Sequence, residues 1–208
     1  MLISLILAHP NPGSFNHAIA ARARDTLLGL GHTVIAHDLH AEGFDPILPH
    51  GEIPRDAALD PVVAQHCDEL AAADGIIIVH PNWWGQPPAI LKGWVDRVIR
   101  PGVAYEFLED DAGDGVPHGL LRARAAVVLN TSNTPQAREL SVFGDPLEAL
   151  WHNCIFDLCG VAEFHRRMYS CVVVSSLEER RAWLDDVAQT VARAFPPDPS
   201  HGTQESLT

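Results

Sequence analysis

Three short polar clusters hold the groups with chemical potential. The first is AHPNPGSFN at 8–16, with the His9 imidazole, the Ser14 hydroxyl and the Asn16 amide. Directly after it Ile19, Ala23, Leu27 and Leu30 recur at steps of four, four and three, which is helical spacing. Free N–H groups at a helix start, next to a hydroxyl and an amide, suit an anion, phosphate above all. Ser14 as a plain helix cap fits the same residues. The second cluster, HPNWWG at 80–85, sets Trp83 and Trp84 between Pro81 and Gly85. Two adjacent indoles do not easily both turn inward, so at least one is free to flank a planar ligand. The third, Asn130, Thr131, Ser132 and Asn133, offers amides, hydroxyls and backbone donors; an ordinary polar turn is the bland alternative.

Each cluster follows a short apolar run. Residues 2–7, 75–79 and 125–129 read as buried strands, and GIIIV at 75–79 has the β-branched character of a central parallel strand. A further strand is expected at 33–36 and a fifth within 162–174. Helices are expected from the first cluster to Gly29, from Asp60-Pro61 to about residue 73, over 89–99, over 146–158 and over 177–195. Strands alternating with helices argue a doubly wound α/β fold. In a parallel sheet all strand ends of one kind lie on one edge, so the three clusters should line a single crevice. Residues 39–54 read as a surface loop. The stretch 100–124 reads as a mobile, acidic excursion, and 196–208 as a disordered tail beyond a single domain at 1–195.

Composition narrows the function. Lys and Arg total 14 against 27 Asp and Glu, a net charge of −13, which disfavours nucleic acid and anionic membranes as partners. It also implies that an anion site here relies on backbone and neutral side chains. No apolar run reaches the roughly 18 residues of a membrane span, and no signal peptide is evident, so a cytoplasmic protein is expected. Cys67, Cys154, Cys159 and Cys171 form no C-x-x-C pair and read as reduced, mostly buried thiols. The 12 histidines include no H-E-x-x-H, and no metal is expected. Neither G-x-G-x-x-G nor G-x-x-x-x-G-K-[ST] occurs, so neither a Rossmann site nor a P-loop is supported.

Taken together, AHPNPGSFN (8–16), DLHAEGFDP (38–46), HPNWWGQPPAILKGWVDRV (80–98), GVAYEF (102–107) and LCGV (158–161) resemble the flavodoxin-like NAD(P)H:quinone oxidoreductases. This is the group of DT-diaphorase and of the ancillary flavoproteins of bacterial potassium efflux systems, and the resemblance spans about residues 2–195. It implies a flavodoxin-like five-stranded parallel sheet of order 2-1-3-4-5 with helices on both faces. It implies a non-covalent flavin, FMN or FAD. His9, Ser14, Phe15 and Asn16 match the segment at the flavin phosphates. Pro81, Asn82, Trp83, Trp84 and Gly85 match the segment along the isoalloxazine, and Asn130, Thr131, Ser132 and Asn133 the loop at its pyrimidine side. The implied reaction is hydride transfer from NAD(P)H and two-electron reduction of a quinone in the same pocket, by a homodimer. DT-diaphorase carries a Tyr and a His after the fourth strand; here Phe143 stands at the His position and no Tyr is near, so no proton-relay residue is assigned. The long C-terminal extension that embraces an FAD adenosine has no counterpart, which favours FMN. A regulatory subunit of a transport system, with the acidic 109–115 as its contact, is the alternative.

Overall fold

The computed structural model describes residues 1–107 and 116–197. Five parallel strands form the sheet: β1 (Leu2–Leu7), β2 (Thr33–Asp38), β3 (Gly75–Pro81), β4 (Ala125–Thr131) and β5 (Glu163–Tyr169). Their order is β2-β1-β3-β4-β5, as expected. Every residue of β3 and β4 is buried, because helices cover both faces.

On one face lie α1 (Phe15–Gly29) and the C-terminal helix Leu177–Ala194. Ile19, Ala23 and Leu27 from the first meet Val187, Val191 and Phe195 over Ile3, Leu5 and Ile77. On the other face lie α2 (Pro61–Ala72), α3 (Ala89–Val98) and a helical stretch from Pro146 to Phe156. There Leu70, Trp94, Trp151 and Phe156 pack on Ile6, Ile78 and Val128. Each such fully buried aliphatic side chain contributes about 1.5–3 kcal/mol relative to exposure. A Cβ on Gly75 would strike the Phe195 ring, so the closing helix seats on β3 only where a side chain is missing.

The helix starts follow their caps. Ser14 and Asp60 accept from backbone N–H groups of the first turns of α1 and α2, with Pro61 opening α2. Ser176 and Glu179 form a reciprocal capping box.

Several expectations need correction. β3 and β4 each run two residues further than their apolar cores, to Pro81 and Thr131, with His80 opposite Asn130 and Pro81 opposite Thr131. Asn130 and Thr131 are therefore strand rather than loop. The extension is stable because the buried polar groups satisfy one another, as described below. The 39–54 loop is not a plain solvated connector: Leu39, Phe44 and Glu52 are buried. A Cβ on Gly93 would collide with the Pro46 backbone, which shows how closely this loop lies on α3. Residues 116–124 and 101–107 are also anchored. Tyr105–Glu106 pairs antiparallel with His118–Gly119, and Gly119 lies against the backbone of Cys159 and Gly160, so the ends of the expected mobile excursion form a small ribbon. Its acidic centre, including 109–115, falls outside the described residues, as does most of the expected tail (198–208). Residues Ala149–Phe156 are wound as π-helix, and a short unforeseen helical stretch spans Gln136–Phe143. Cys67 and Cys159 are buried, and burial pushes their thiols up to about 11, but Cys154 is exposed and Cys171 is half-buried. Among the described residues no helix is long and apolar enough to cross a membrane.

Candidate functional site

At the carboxyl ends of β1, β3 and β4 lies an open cavity of about 760 Å³. His9, Ser14, Phe15, Asn16, Pro81, Asn82, Trp83, Trp84, Gly85, Thr131, Ser132 and Asn133 all line it. Three clusters far apart in the chain thus meet on one sheet edge. Asn130 does not reach the cavity; it is fully buried beneath it.

The first wall is the start of α1. Ser14 Oγ accepts from His17 N, so the hydroxyl does cap the helix, and it faces the cavity as well. The amides of Phe15 and Asn16 have no partner among the described residues. They are two of the unmatched donors that every helix start leaves. Asn16 donates to Thr131 Oγ1 at 2.9 Å, which ties α1 to the end of β4. His9 Nδ1 accepts from Asn11 N, and burial holds its imidazole below the ordinary value.

The second wall is a two-residue turn. Trp83 and Gln86 exchange backbone hydrogen bonds at 3.1 and 3.0 Å, with Trp84 at φ 59° and Gly85 at φ 73° between them. Two left-handed residues in succession make a type I′ turn, which normally takes Asn-Gly. A tryptophan there costs about 1–2 kcal/mol. The turn throws Trp84 out fully exposed and leaves Trp83 half-exposed, so neither indole is core. Asn82 holds the turn from inside: its Oδ1 accepts from Gly85 N, and its Nδ2 donates to Glu139 at 2.9 Å. A Cβ on Gly85 would lie 2.7 Å from Pro146 Cγ, so only glycine fits between the turn and that proline.

The third wall is built by Thr131 to Asn133. Ser132 Oγ accepts from Thr134 N, and Asn133 Oδ1 accepts from Val173 N. Beneath it lies a fully bonded floor. His80 Nε2 accepts from Trp151 Nε1 and Asn130 Nδ2, both at 2.9 Å, while Nδ1–H donates to Pro81 O at 2.8 Å. That pattern requires neutral imidazole, and burial lowers its pKa to about 4. Asn130 Oδ1 accepts from Arg166 Nε at 2.8 Å, and the rest of the guanidinium grips Asp145 at 2.7 and 2.8 Å.

Sequence reasoning missed Thr134, Pro146, Val172, Val173 and Arg180 in the lining. It noted Glu139 and Phe143 only as neighbours of a family position, yet both line the cavity. Arg180 corrects the expectation of an uncharged site; it donates to Ser175 Oγ and Val172 O from the C-terminal helix. Nothing near Arg180 in sequence marks it, since it comes from the first turn of a helix otherwise read for its apolar stripe.

Away from the cavity, His37 Nδ1, a Glu42 oxygen and His66 Nε2 lie within 4.8 Å of one another. They are poor metal ligands. Trp94 Nε1 donates to His66 Nδ1 at 3.1 Å, which leaves the ring hydrogen on Nε2 and no lone pair there for a cation.

Comparison with known proteins agrees with this geometry. A family model described as a flavodoxin-like fold matches residues 1–193. An NAD(P)H oxidoreductase of Haemophilus influenzae, itself uncharacterised, is 32% identical over 190 residues, covering 89% of this chain and 91% of that protein. The ribosyldihydronicotinamide dehydrogenase [quinone] of Mus musculus is 27% identical, covering 97% of this chain and 95% of its own. Among solved structures, Smu.1420 from Streptococcus mutans UA159 superposes with a TM-score of 0.80 at 32% identity, over 93% of this chain and 100% of its own.

Proposed function

The chain belongs to the flavodoxin-like family of NAD(P)H:quinone oxidoreductases, and from that premise we propose that it binds FMN in the 760 Å³ cavity and reduces quinones by two electrons at the expense of NAD(P)H. The observation that carries this reading is the meeting of the unmatched α1 amides, the Trp83–Gly85 turn and the Thr131–Asn133 donors around one space. The residues fit the cofactor. The amides of Phe15 and Asn16, with Ser14, would take the phosphate. The Pro81–Gly85 backbone would run along the ring, where the absence of a Cβ at Gly85 permits close approach. Ser132 and Asn133 would face its pyrimidine edge.

A flavin held there supplies the redox chemistry, accepting hydride from NAD(P)H and delivering two electrons to an acceptor. The chain's part is placement. Asn82 and Glu139 fix the strained turn, and the polar groups after β4 meet the edge where charge develops. Pro146, Phe143 and Val173 leave an apolar side open to a flat acceptor such as a quinone. The anion nest at α1 is sized for one phosphate, which favours FMN over FAD.

We also place two such chains together. Trp84, Phe143 and Val173 are exposed apolar groups at the cavity mouth, as a partner surface requires. Light scattering on the eluting protein should give twice the 22.7 kDa chain mass.

Glu139 supports the turn rather than the chemistry. Glu139→Ala should cost about 1–3 kcal/mol, because the buried Asn82 amide loses its acceptor, and flavin should bind more weakly. Glu139→Gln retains an acceptor and should recover most of both. Urea midpoints and flavin titrations of the two variants check this.

The function itself is tested by steady-state oxidation of NADH and NADPH by the FMN-loaded protein with menadione. Parallel double-reciprocal lines, the mark of one substrate leaving before the next enters, are expected. Flavin-loaded protein that does not turn over with menadione is a one-electron carrier and not this enzyme.

A further inference from the structure

Beside the phosphate wall is a chain of three side chains that the reading above does not use. His17 Nδ1 lies 2.9 Å from Ser14 Oγ, and His17 Nε2 lies 2.9 Å from Asp38 Oδ2. Asp38, at the end of β2, is itself fixed, because its Oδ1 accepts from His40 N and Ala41 N at 3.2 Å. A carboxylate only accepts, so Nε2 of His17 must carry a hydrogen. What Nδ1 carries then decides what Ser14 offers to the cavity.

When His17 is neutral, Nδ1 is a lone pair and takes the hydroxyl hydrogen of Ser14. Ser14 Oγ also accepts from His17 N, so it presents only lone pairs to an incoming anion. When His17 is protonated, Nδ1–H donates to Ser14 Oγ, and the hydroxyl hydrogen turns toward the cavity. The cradle gains one donor and, a single side chain behind it, one positive charge offset by Asp38. Phosphate is therefore served by one protonation state and opposed by the other.

We propose that His17, held by Asp38, is a phosphate-binding residue of this site that acts through Ser14, and that a phosphate monoester binds together with a proton taken up by His17. This rests on the flavin reading above. It adds that the site selects a doubly charged terminal phosphate, since the extra cationic charge serves a dianion better than a singly charged diester. Other groups face His17 as well. His9, in the loop after β1, has its ring centroid 6.3 Å away, and His40 follows in the turn after β2. Arg24, one side of α1 further along, shares with His17, His37 and Asp38 the groove between α1 and β2. Arg24 pairs with Asp25, and His37 with Glu42 and Glu69, so His17 is the ring joined directly to the cavity hydroxyl.

The test is calorimetric titration of the full chain, freed of flavin, with FMN and with riboflavin. Phosphate-free buffers of different ionisation heat are used between about pH 7 and 9, where the FMN phosphate, with a second pKa of about 6, is already a dianion. FMN binding should take up protons, approaching about one per FMN as pH rises, and its affinity should fall by up to roughly tenfold per pH unit there. Riboflavin, which lacks the phosphate, should bind with no uptake. His17→Gln, shown to be folded by circular dichroism, should bind FMN with a flat pH profile and no uptake. Asp38→Asn should lower the uptake as well. FMN binding without uptake, or uptake that survives His17→Gln, overturns this inference and leaves the flavin reading standing. Failure of the wild-type chain to bind FMN or riboflavin at all overturns both.

Discussion

Replacing Arg97 by alanine is expected to cost about 3–5 kcal/mol of folding stability. Arg97 lies on α3 and is 4% exposed; its partner Glu52 is 6% exposed. The guanidinium donates to both Glu52 oxygens, at 2.9 and 2.7 Å, and to Asp45 O at 2.6 Å. Truncation leaves a buried carboxylate unpaired and frees the 39–54 loop from α3. Lysine should not rescue it, because a point charge does not reproduce the fork. A double replacement by Leu at Glu52 and Met at Arg97 should cost less than Arg97→Ala, since no charge is left behind. Arg97 also holds the Glu52 carboxyl below its usual range. A carboxyl lowered in the folded state stabilises above its unfolded pKa and loses that contribution as pH falls through the folded one. Wild type should therefore lose this share of stability below about pH 4.3, and Arg97→Ala should not. Urea midpoints across pH measure both effects.

Acidification from pH 7 to 5 should cost a further roughly 4 kcal/mol. His80 and His66 are fully or nearly fully buried, and burial lowers each to about 4. The neighbouring His37 adds to the effect at His66. Between about pH 6.5 and 4 the unfolded chain binds a proton at each position while the folded chain does not. Stability therefore falls as pH drops through this window, on the order of 1 kcal/mol per pH unit for each ring. His66→Gln should remove about half of the slope. The acid loss also reaches the site, because protonating His80 breaks the bond that Nε2 accepts from Asn130 under the cavity floor.

The sheet and the edge where the ligand sits were legible because each depends on local patterns. The all-apolar β3 announces a covered parallel strand, and three polar clusters after three such strands have to converge in a parallel sheet. The strand ends were misjudged at His80 and Asn130, whose burial rests on Trp151 and Arg166, partners 71 and 36 residues away. Glu139, Phe143 and Pro146 were hard to assign for a related reason. They lie on or beside segments wound as π-helix, whose period no 3.6-residue pattern reveals. The pairing of His17 with Asp38 depends on α1 lying over β2, which side-chain spacing along either element does not indicate.

The central claim is that an α1 phosphate cradle and a Trp83–Gly85 ring wall form one flavin site. It is tested most directly by the visible absorption spectrum of the purified protein, followed by mass analysis of the chromophore released on denaturation. A flavin spectrum with FMN released, or regained when FMN is added to the colourless protein, is the predicted result. A protein that is colourless and gains no bound flavin from added FMN or FAD contradicts the account.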